Sequence, residues 1–261
     1  MMSKLHAILL LLCVTICVAD GDDSPVRPSI IGGTDAKRGD NPHMCSLRSS
    51  AHGCGASIIG VKWAITAAHC VNGVDPADRS LRCGTVTKSS GGKDYKLTQI
   101  IIHKDYNLRG RYDNDVALLK IEGEFELGTS DSNIIELADD GSEVPAGEIV
   151  TVVGWGRLEN GKNIYPENLQ TLDVPVVGRD KCQVNYDEIK DLMPITDSML
   201  CAGFTEGNKD ACQNDSGGPL KYKNQLVGLV SWGKECALPD YPGVYARIGQ
   251  LRSWIRIETG I

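Results

Sequence analysis

From Cys54 onward the chain is a succession of short apolar runs broken by Gly, Pro, Asn and Asp. The runs read as strands: Gly55–Ile59, Trp63–Thr66, Leu97–His103, Val116–Ile121, Ile149–Gly154, Leu169–Val176, Gln225–Trp232 and Gly243–Arg247. They are rich in β-branched residues and bounded by turn formers, which predicts an all-β barrel or sandwich. The polar, turn-rich stretch Asp139–Gly147 divides the chain into halves of similar size, with no sequence repeat between them. Only the C-terminal end reads as strongly helical. There, after Gly249, residues Leu251, Trp254, Ile255 and Glu258 fall at i, i+3, i+4 spacing with one apolar face.

The N-terminus has a different pattern. Lys4 supplies a positive charge, Ala7–Val18 is apolar, and Cys17-Val18-Ala19 offers small residues for cleavage after Ala19. Residues 1–19 are thus expected to be a secretory signal. The run is shorter than the roughly 18–20 residues that span a bilayer, and no later segment is long and apolar enough, so the expectation is export with no membrane partner. Gly21–Ser29, with Asp22, Asp23, Pro25 and Pro28, reads as an exposed leader. Ile30-Ile31-Gly32-Gly33 then resembles a strand start after a turn.

The 261 residues fit one all-β domain or two ordinary ones. A hydrophobic share of 41% is enough for a core, and a charged share of 23% argues against disorder. The net charge of −7 and the lack of a basic patch argue against nucleic acid as a partner. Of ten cysteines, Cys13 and Cys17 leave with the signal. Cys45, Cys54, Cys70, Cys83, Cys182, Cys201, Cys212 and Cys236 remain, and an even count in an oxidising compartment reads as a disulfide framework. No two stand in a C-x2-C pair, which argues against zinc.

The chemistry centres on Asp210-Ala211-Cys212-Gln213-Asn214-Asp215-Ser216-Gly217-Gly218-Pro219, where a serine stands between an acid and two glycines. A serine hydroxyl becomes a nucleophile when a base takes its proton and N–H groups hold the oxyanion. His6 leaves with the signal; His43, His52, His69 and His103 remain as candidates. His69, in Thr66-Ala67-Ala68-His69-Cys70, follows an apolar run and fits either a structural surface histidine or a rigidly held base. In Asp113-Asn114-Asp115-Val116-Ala117-Leu118-Leu119, Asp115 begins a hydrophobic strand and is expected to be the more buried of the two aspartates. A buried aspartate needs hydrogen bonds, which a histidine N–H would supply; a strand cap is the other reading.

Together with Ile30-Ile31-Gly32-Gly33, Gly154-Trp155-Gly156, Cys201-Ala202-Gly203, Ser231-Trp232-Gly233 and Pro242-Gly243-Val244-Tyr245, these motifs run in one order. In that order the sequence resembles the trypsin/chymotrypsin-like serine endopeptidases over Ile30–Ile261. The resemblance implies two six-stranded antiparallel β-barrels, a C-terminal helix and a cleft between the barrels. It implies a family mechanism in which Ser216 is nucleophile, His69 base and Asp115 its orienting group. The N–H groups of Asn214 and Ser216 would form the oxyanion hole. Asp210 would lie at the base of the S1 pocket, with Ala211, Ser231, Gly233 and Gly243 around it, implying cleavage after Arg or Lys. Ala211 stands where many relatives have serine, and one hydroxyl fewer implies a preference for Arg. The resemblance also implies the bridges Cys54–Cys70, Cys182–Cys201 and Cys212–Cys236. Cys45 and Cys83 are left over; pairing them, each on an expected strand of the first barrel, leaves no odd thiol.

The family's activation scheme implies an ammonium at Ile30 that pairs with Asp215. Yet Ser29 precedes Ile30, and Arg27 precedes Pro28, so a different activating protease or later trimming is expected. Thr85-Val86-Thr87-Lys88 lacks the acidic residue of calcium-binding relatives, so no metal and no cofactor is expected. Asn214 replaces the usual glycine; its side chain would point to the leaving-group side and hinder tight protein inhibitors. Asn214-Asp215-Ser216 is formally a glycosylation sequon, though occupancy there would block the site. The expectation is a secreted, monomeric endopeptidase acting on proteins or peptides. A catalytically weak homologue acting as a binding or regulatory protein is the alternative. The order His, Asp, Ser argues against an α/β-hydrolase.

Overall fold

The computed structural model describes residues 32–158, 161–207 and 210–261; the signal, the leader and Ile30 lie outside the described residues. After a short strand β1 (Thr34–Asp35) come β2 (Met44–Arg48), β3 (His52–Ile58), β4 (Trp63–Thr66), β5 (Ser80–Cys83), β6 (Lys93–Ile102) and β7 (Ala117–Ile121). Strands β2 to β7 close into a barrel in the order β2-β3-β4-β7-β6-β5. Next follow β8 (Glu136–Leu137), β9 (Ile149–Gly154), β10 (Gln170–Val177), β11 (Met199–Ala202), β12 (Pro219–Tyr222), β13 (Gln225–Trp232) and β14 (Gly243–Arg247). Of these, β10-β11-β14-β13-β12-β9 form the second six-stranded barrel, closed by the β9–β10 pairing. β1 pairs with β10 at its edge, and β8 runs parallel to β13.

Alternation of side chains along the pleat fixes the inward faces. Along β10, Gln170, Leu172, Val174 and Val176 are buried while the residues between them are not. Along β6, Tyr95 and Leu97 turn into the first core between exposed neighbours. The α-helices among the described residues are α1 (Arg179–Asn185) and α2 (Ile248–Thr259). On α2 the apolar stripe is Ile248, Leu251 and Ile255; Glu258 faces solvent, so the stripe ends one turn earlier than the spacing predicts. Gly260 closes the helix in the left-handed conformation, at φ 77°.

The eight strands read from the apolar pattern correspond to β3, β4, β6, β7, β9, β10, β13 and β14. Those eight runs do not include β1, β2, β5, β8, β11, β12 or α1. β11 has only four residues, all buried, and so no alternation. β12 begins with a proline after two glycines. α1 is polar and charged, with only Cys182 buried. β6 starts four residues before Leu97, because Lys93–Lys96 puts Tyr95 inward between charges.

The barrels meet where Gly55 of β3 faces Gly218. A Cβ on Gly55 would lie 2.6 Å from the Gly218 Cα, so only glycine allows this approach. At that distance the Gly55 N–H donates to the Ser216 carbonyl over 2.8 Å, tying the serine turn of one barrel to a strand of the other. The structure pairs Cys54 with Cys70, Cys182 with Cys201 and Cys212 with Cys236. It also pairs Cys45 with Cys83, which face each other across β2 and β5 inside the first barrel.

Candidate active site

His69 sits in a one-turn 3-10 segment, Ala68–Cys70, directly after β4. The Cys54–Cys70 bridge ties that turn to β3. Asp115 precedes β7 and is buried. Its Oδ1 accepts the His69 backbone N–H at 2.9 Å, and its Oδ2 accepts the ring Nδ1–H at 2.7 Å. The Ser231 hydroxyl donates to the same Oδ2 at 2.5 Å. These bonds place the ring proton on Nδ1 and leave the Nε2 lone pair free. His69 and Ser216 line one cavity of about 400 Å³. Among the described residues no hydrogen bond joins their side chains, and His69 Nε2 lies 3.8 Å from the Cys70 sulfur.

The other histidines are elsewhere. His43 is buried, and burial pushes its pKa down to about 3; its Nε2 has no partner among the described residues. His103 packs on Trp254, with ring centroids 4.8 Å apart. Burial pushes His52 down to about 4, so its ring is neutral. It bridges the barrels, accepting from the Ser46 hydroxyl at 2.8 Å and donating from Nε2 to the Asn214 carbonyl at 3.0 Å.

That bond holds the turn before Ser216. Asn214 adopts φ 73°, a left-handed conformation that Asn tolerates better than most residues. Among the described residues, neither the Asn214 N–H nor the Ser216 N–H donates a hydrogen bond. Asp215 between them is wholly buried, and burial pushes it up to about 7. Its carboxylate accepts the Gly156 N–H at 2.7 Å and the Cys212 N–H at 2.9 Å. A Cβ on Gly154 or Gly156 would lie 2.0 or 2.2 Å from an Asp215 carboxylate oxygen. The Gly154-Trp155-Gly156 motif thus makes room for that carboxylate. Ile30, its expected partner, lies outside the described residues.

The same cavity is lined by Asp210, Ala211, Ser231, Gly233 and Gly243. Asp210 is buried, and burial pushes its pKa up to about 7. Its Oδ2 accepts the Ala237 N–H at 3.1 Å, whereas Oδ1 has no partner among the described residues. The neighbouring Tyr245 hydroxyl is also unpartnered there, and a Cβ on Gly243 would come 2.9 Å from Asp210 Oδ1. Among the described residues this buried carboxylate has no counter-ion, an arrangement suited to a cationic group.

One expectation needs correction. Asp113 is as buried as Asp115, at 0% exposure against 1%. It serves a different purpose, anchoring the loop by bonds to Arg109, Thr196 and Ser198. Sequence reasoning missed Tyr112, whose ring meets His69 edge-on at 5.5 Å and lies nearly parallel to Trp232 at 6.3 Å. It also missed the bridging role of His52 and Ser46. Adjacency to Asp113 could have flagged Tyr112; nothing local flags the Ser46–His52 pair.

The trypsin family model matches residues 30–255. The chain is 42% identical to Trypsin Blo t 3 of Blomia tropicalis, over 87% of this chain and 85% of that protein. It is 39% identical to the vitellin-degrading protease of Bombyx mori, over 94% and 92%. It is 37% identical to Trypsin Tyr p 3.0101 of Tyrophagus putrescentiae, over 97% and 91%. The family model and these relatives, matched by two closed antiparallel barrels with a serine-lined cleft, identify a hydrolase of the serine endopeptidase class. The protein belongs to the trypsin family.

Proposed function

We propose that the protein is a secreted zymogen whose processed form cuts peptide bonds after Arg, and less readily after Lys. The observation that carries this is Asp210: a buried carboxylate with one oxygen unpartnered among the described residues, in the cavity lined by His69 and Ser216. A guanidinium fork satisfies such a carboxylate through two parallel hydrogen bonds, whereas an ammonium offers a point charge. Ala211 adds no hydroxyl to help the ammonium.

Ser216 Oγ attacks the scissile carbonyl while His69 Nε2 takes its proton. Asp115 fixes the tautomer and stabilises the imidazolium. The oxyanion is held by the N–H groups of Asn214 and Ser216, both free of other bonds among the described residues. His69 then protonates the leaving amine, and water releases the acyl group by the same steps in reverse. Losing one oxyanion donor typically lowers kcat roughly 10²–10³-fold. An ammonium freed at Ile30 would neutralise Asp215 and set the turn that carries both N–H groups. Because Ser29 precedes Ile30, another protease or a trimming step exposes it. The enzyme acts as a monomer on protein or peptide substrates, and the Asn214 side chain hinders tight protein inhibitors.

A serine-directed organophosphonate should label the processed protein but not Ser216→Ala. Matched peptides should rank Arg above Lys and both far above Phe. Fastest cleavage after Phe or Leu would refute the pocket assignment, and equal rates after Arg and Lys would refute the Arg preference. No labelling would favour the catalytically weak homologue. N-terminal sequencing of the active form should read Ile30.

A further inference from the structure

A second groove leaves Ser216 on the side away from Asp210. It encloses about 380 Å³ and shares His69, Gln213 and Ser216 with the first cavity. Beyond them it runs over the Cys54–Cys70 bridge to Leu47, Asn214 and Arg79. A substrate whose P1 side chain fills the Asp210 cavity can send its leaving fragment this way, because the two cavities meet at His69, Gln213 and Ser216.

Arg79 is half-buried and lies between a 3-10 turn, Pro76–Asp78, and β5. The turn is fixed: Asp75 caps it by accepting the Ala77 N–H at 2.9 Å, and the Arg79 N–H donates to the Pro76 carbonyl at 3.1 Å. Among the described residues the Arg79 guanidinium makes no ion pair; its one bond is Nη1 to the Asp78 carbonyl at 3.1 Å. By contrast Arg38, Arg82, Arg109 and Arg179 each bind a carboxylate. Asp75 in the same turn spends its side chain on the cap. Across the groove the Asn214 amide likewise has no hydrogen-bond partner among the described residues. A cation carried on a fixed turn and an amide unpartnered among the described residues therefore line one partly enclosed groove.

We propose that Arg79 and Asn214 form a leaving-side subsite that selects a carboxylate side chain within the first two residues after the scissile bond. This rests on the reading of Ser216 as nucleophile and of Asp210 as the P1 determinant. The field then reverses across the cut bond, negative for P1 and positive for the leaving fragment, so Arg followed by an acidic residue is favoured and runs of basic residues are disfavoured. Opposite charges in a half-exposed groove attract and like charges repel by similar amounts. Together these give a Glu-over-Lys ratio in kcat/KM of roughly three- to tenfold, shrinking with added salt.

The test uses internally quenched peptides with Arg at P1 and Glu, Gln or Lys at each of the next two positions. The processed protein should cleave the Glu peptides fastest at one of the two positions and Lys peptides slowest. Arg79→Gln should bring the Glu:Lys ratio near one, Arg79→Glu should invert it, and Asn214→Gly should lower it. Each ratio is taken within a single variant, so partial misfolding cancels. A ratio near one in the unmodified protein, or a ratio unmoved in Arg79→Glu, overturns the proposal. An Arg aminomethylcoumarin amide has no leaving-side residues. If it is cleaved while the ratio is one, only the subsite fails; if it is not cleaved, the protease reading falls and the subsite with it.

Discussion

Four buried aspartates surround the cleft, and they are of two kinds: Asp113 and Asp115 on one side, Asp210 and Asp215 on the other. Asp113 accepts from the Arg109 guanidinium at 3.0 and 3.1 Å, from Thr196 at 2.7 Å, from Ser198 at 2.8 Å and from the Asn114 amide at 2.9 Å. Burial alone would push its pKa up, but these bonds and the Arg109 charge outweigh it and hold it below the usual carboxylate value. Asp115 is likewise supplied with donors, from His69 and Ser231. Asp210 and Asp215 are more deeply buried, have only backbone N–H partners among the described residues, and are pushed by burial up to about 7. Low solvent exposure thus yields opposite outcomes at Asp113 and at the pair Asp210 and Asp215, decided by the depth of burial and by the donors within reach. A carboxylate saturated by its own fold positions other groups. One without a cation among the described residues can take a charge from outside, which under the proposed function is a substrate side chain at Asp210 and a newly freed N-terminus at Asp215.

The sharpest way to break this distinction is at Asp210. Benzamidinium, a flat cation, should bind the processed protein as a competitive inhibitor. With a carboxyl titrating at about 7, a cation must displace a proton wherever the site is protonated. Affinity should therefore rise as pH rises through about 7 and level off above it. Asp210→Asn should weaken binding roughly 10²–10³-fold and flatten the pH profile. Affinity that is constant from about pH 5 to 8 in the unmodified protein would mean that Asp210 is ionised without a partner, and the two kinds of aspartate would merge.

Asp113 should fail differently. Asp113→Ala leaves Arg109, Thr196 and Ser198 without their shared acceptor. Breaking a buried, hydrogen-bonded pair of this type costs about 3 kcal/mol. Half of the Arg109 side chain is exposed, which trims the ionic share, but the hydroxyl bonds are buried. At this chain length the change lowers Tm by on the order of 10 °C. Activity per titrated site should fall less than tenfold, since Asp113 touches neither His69 nor Ser216. An unchanged melting curve, read by calorimetry, would remove Asp113 from the structural class.

The sequence shows these aspartates unequally, for physical reasons. Asp115 stands out because an acid at the start of an apolar strand must be paired. Asp113 has the same neighbours in sequence, but its donors Thr196 and Ser198 arrive from 83 and 85 residues away. The strands of both barrels are legible where alternation is long, as along β10, and vanish where four residues are all buried, as in β11. The motifs reveal Ser216, His69 and Asp210 as residue types. They do not reveal the left-handed backbone at Asn214, or that its carbonyl is held by His52, 162 residues earlier. Arg79 escapes notice for the same reason: nothing local marks it as lining the groove beside Asn214.

The smallest effect, and the one that tests how incomplete the donor set at Asp210 is, lies at Ala211. This residue is half-buried and lines the cavity. Beside it, Asp210 Oδ1 and the Tyr245 hydroxyl are both unpartnered among the described residues. A guanidinium reaches the carboxylate with two N–H groups and needs little else. An ammonium is a compact, strongly hydrated charge on a shorter stem and gains more from an added oxygen acceptor. Ala211→Ser supplies that oxygen. One new hydrogen bond to a charged group is worth about 1 kcal/mol, so kcat/KM on Lys peptides should rise roughly fivefold while Arg peptides change little. Side-by-side rates on matched peptides settle it. If the Arg:Lys ratio does not move, a water already does what the hydroxyl would, and Asp210 is better supplied with partners than its open oxygen suggests.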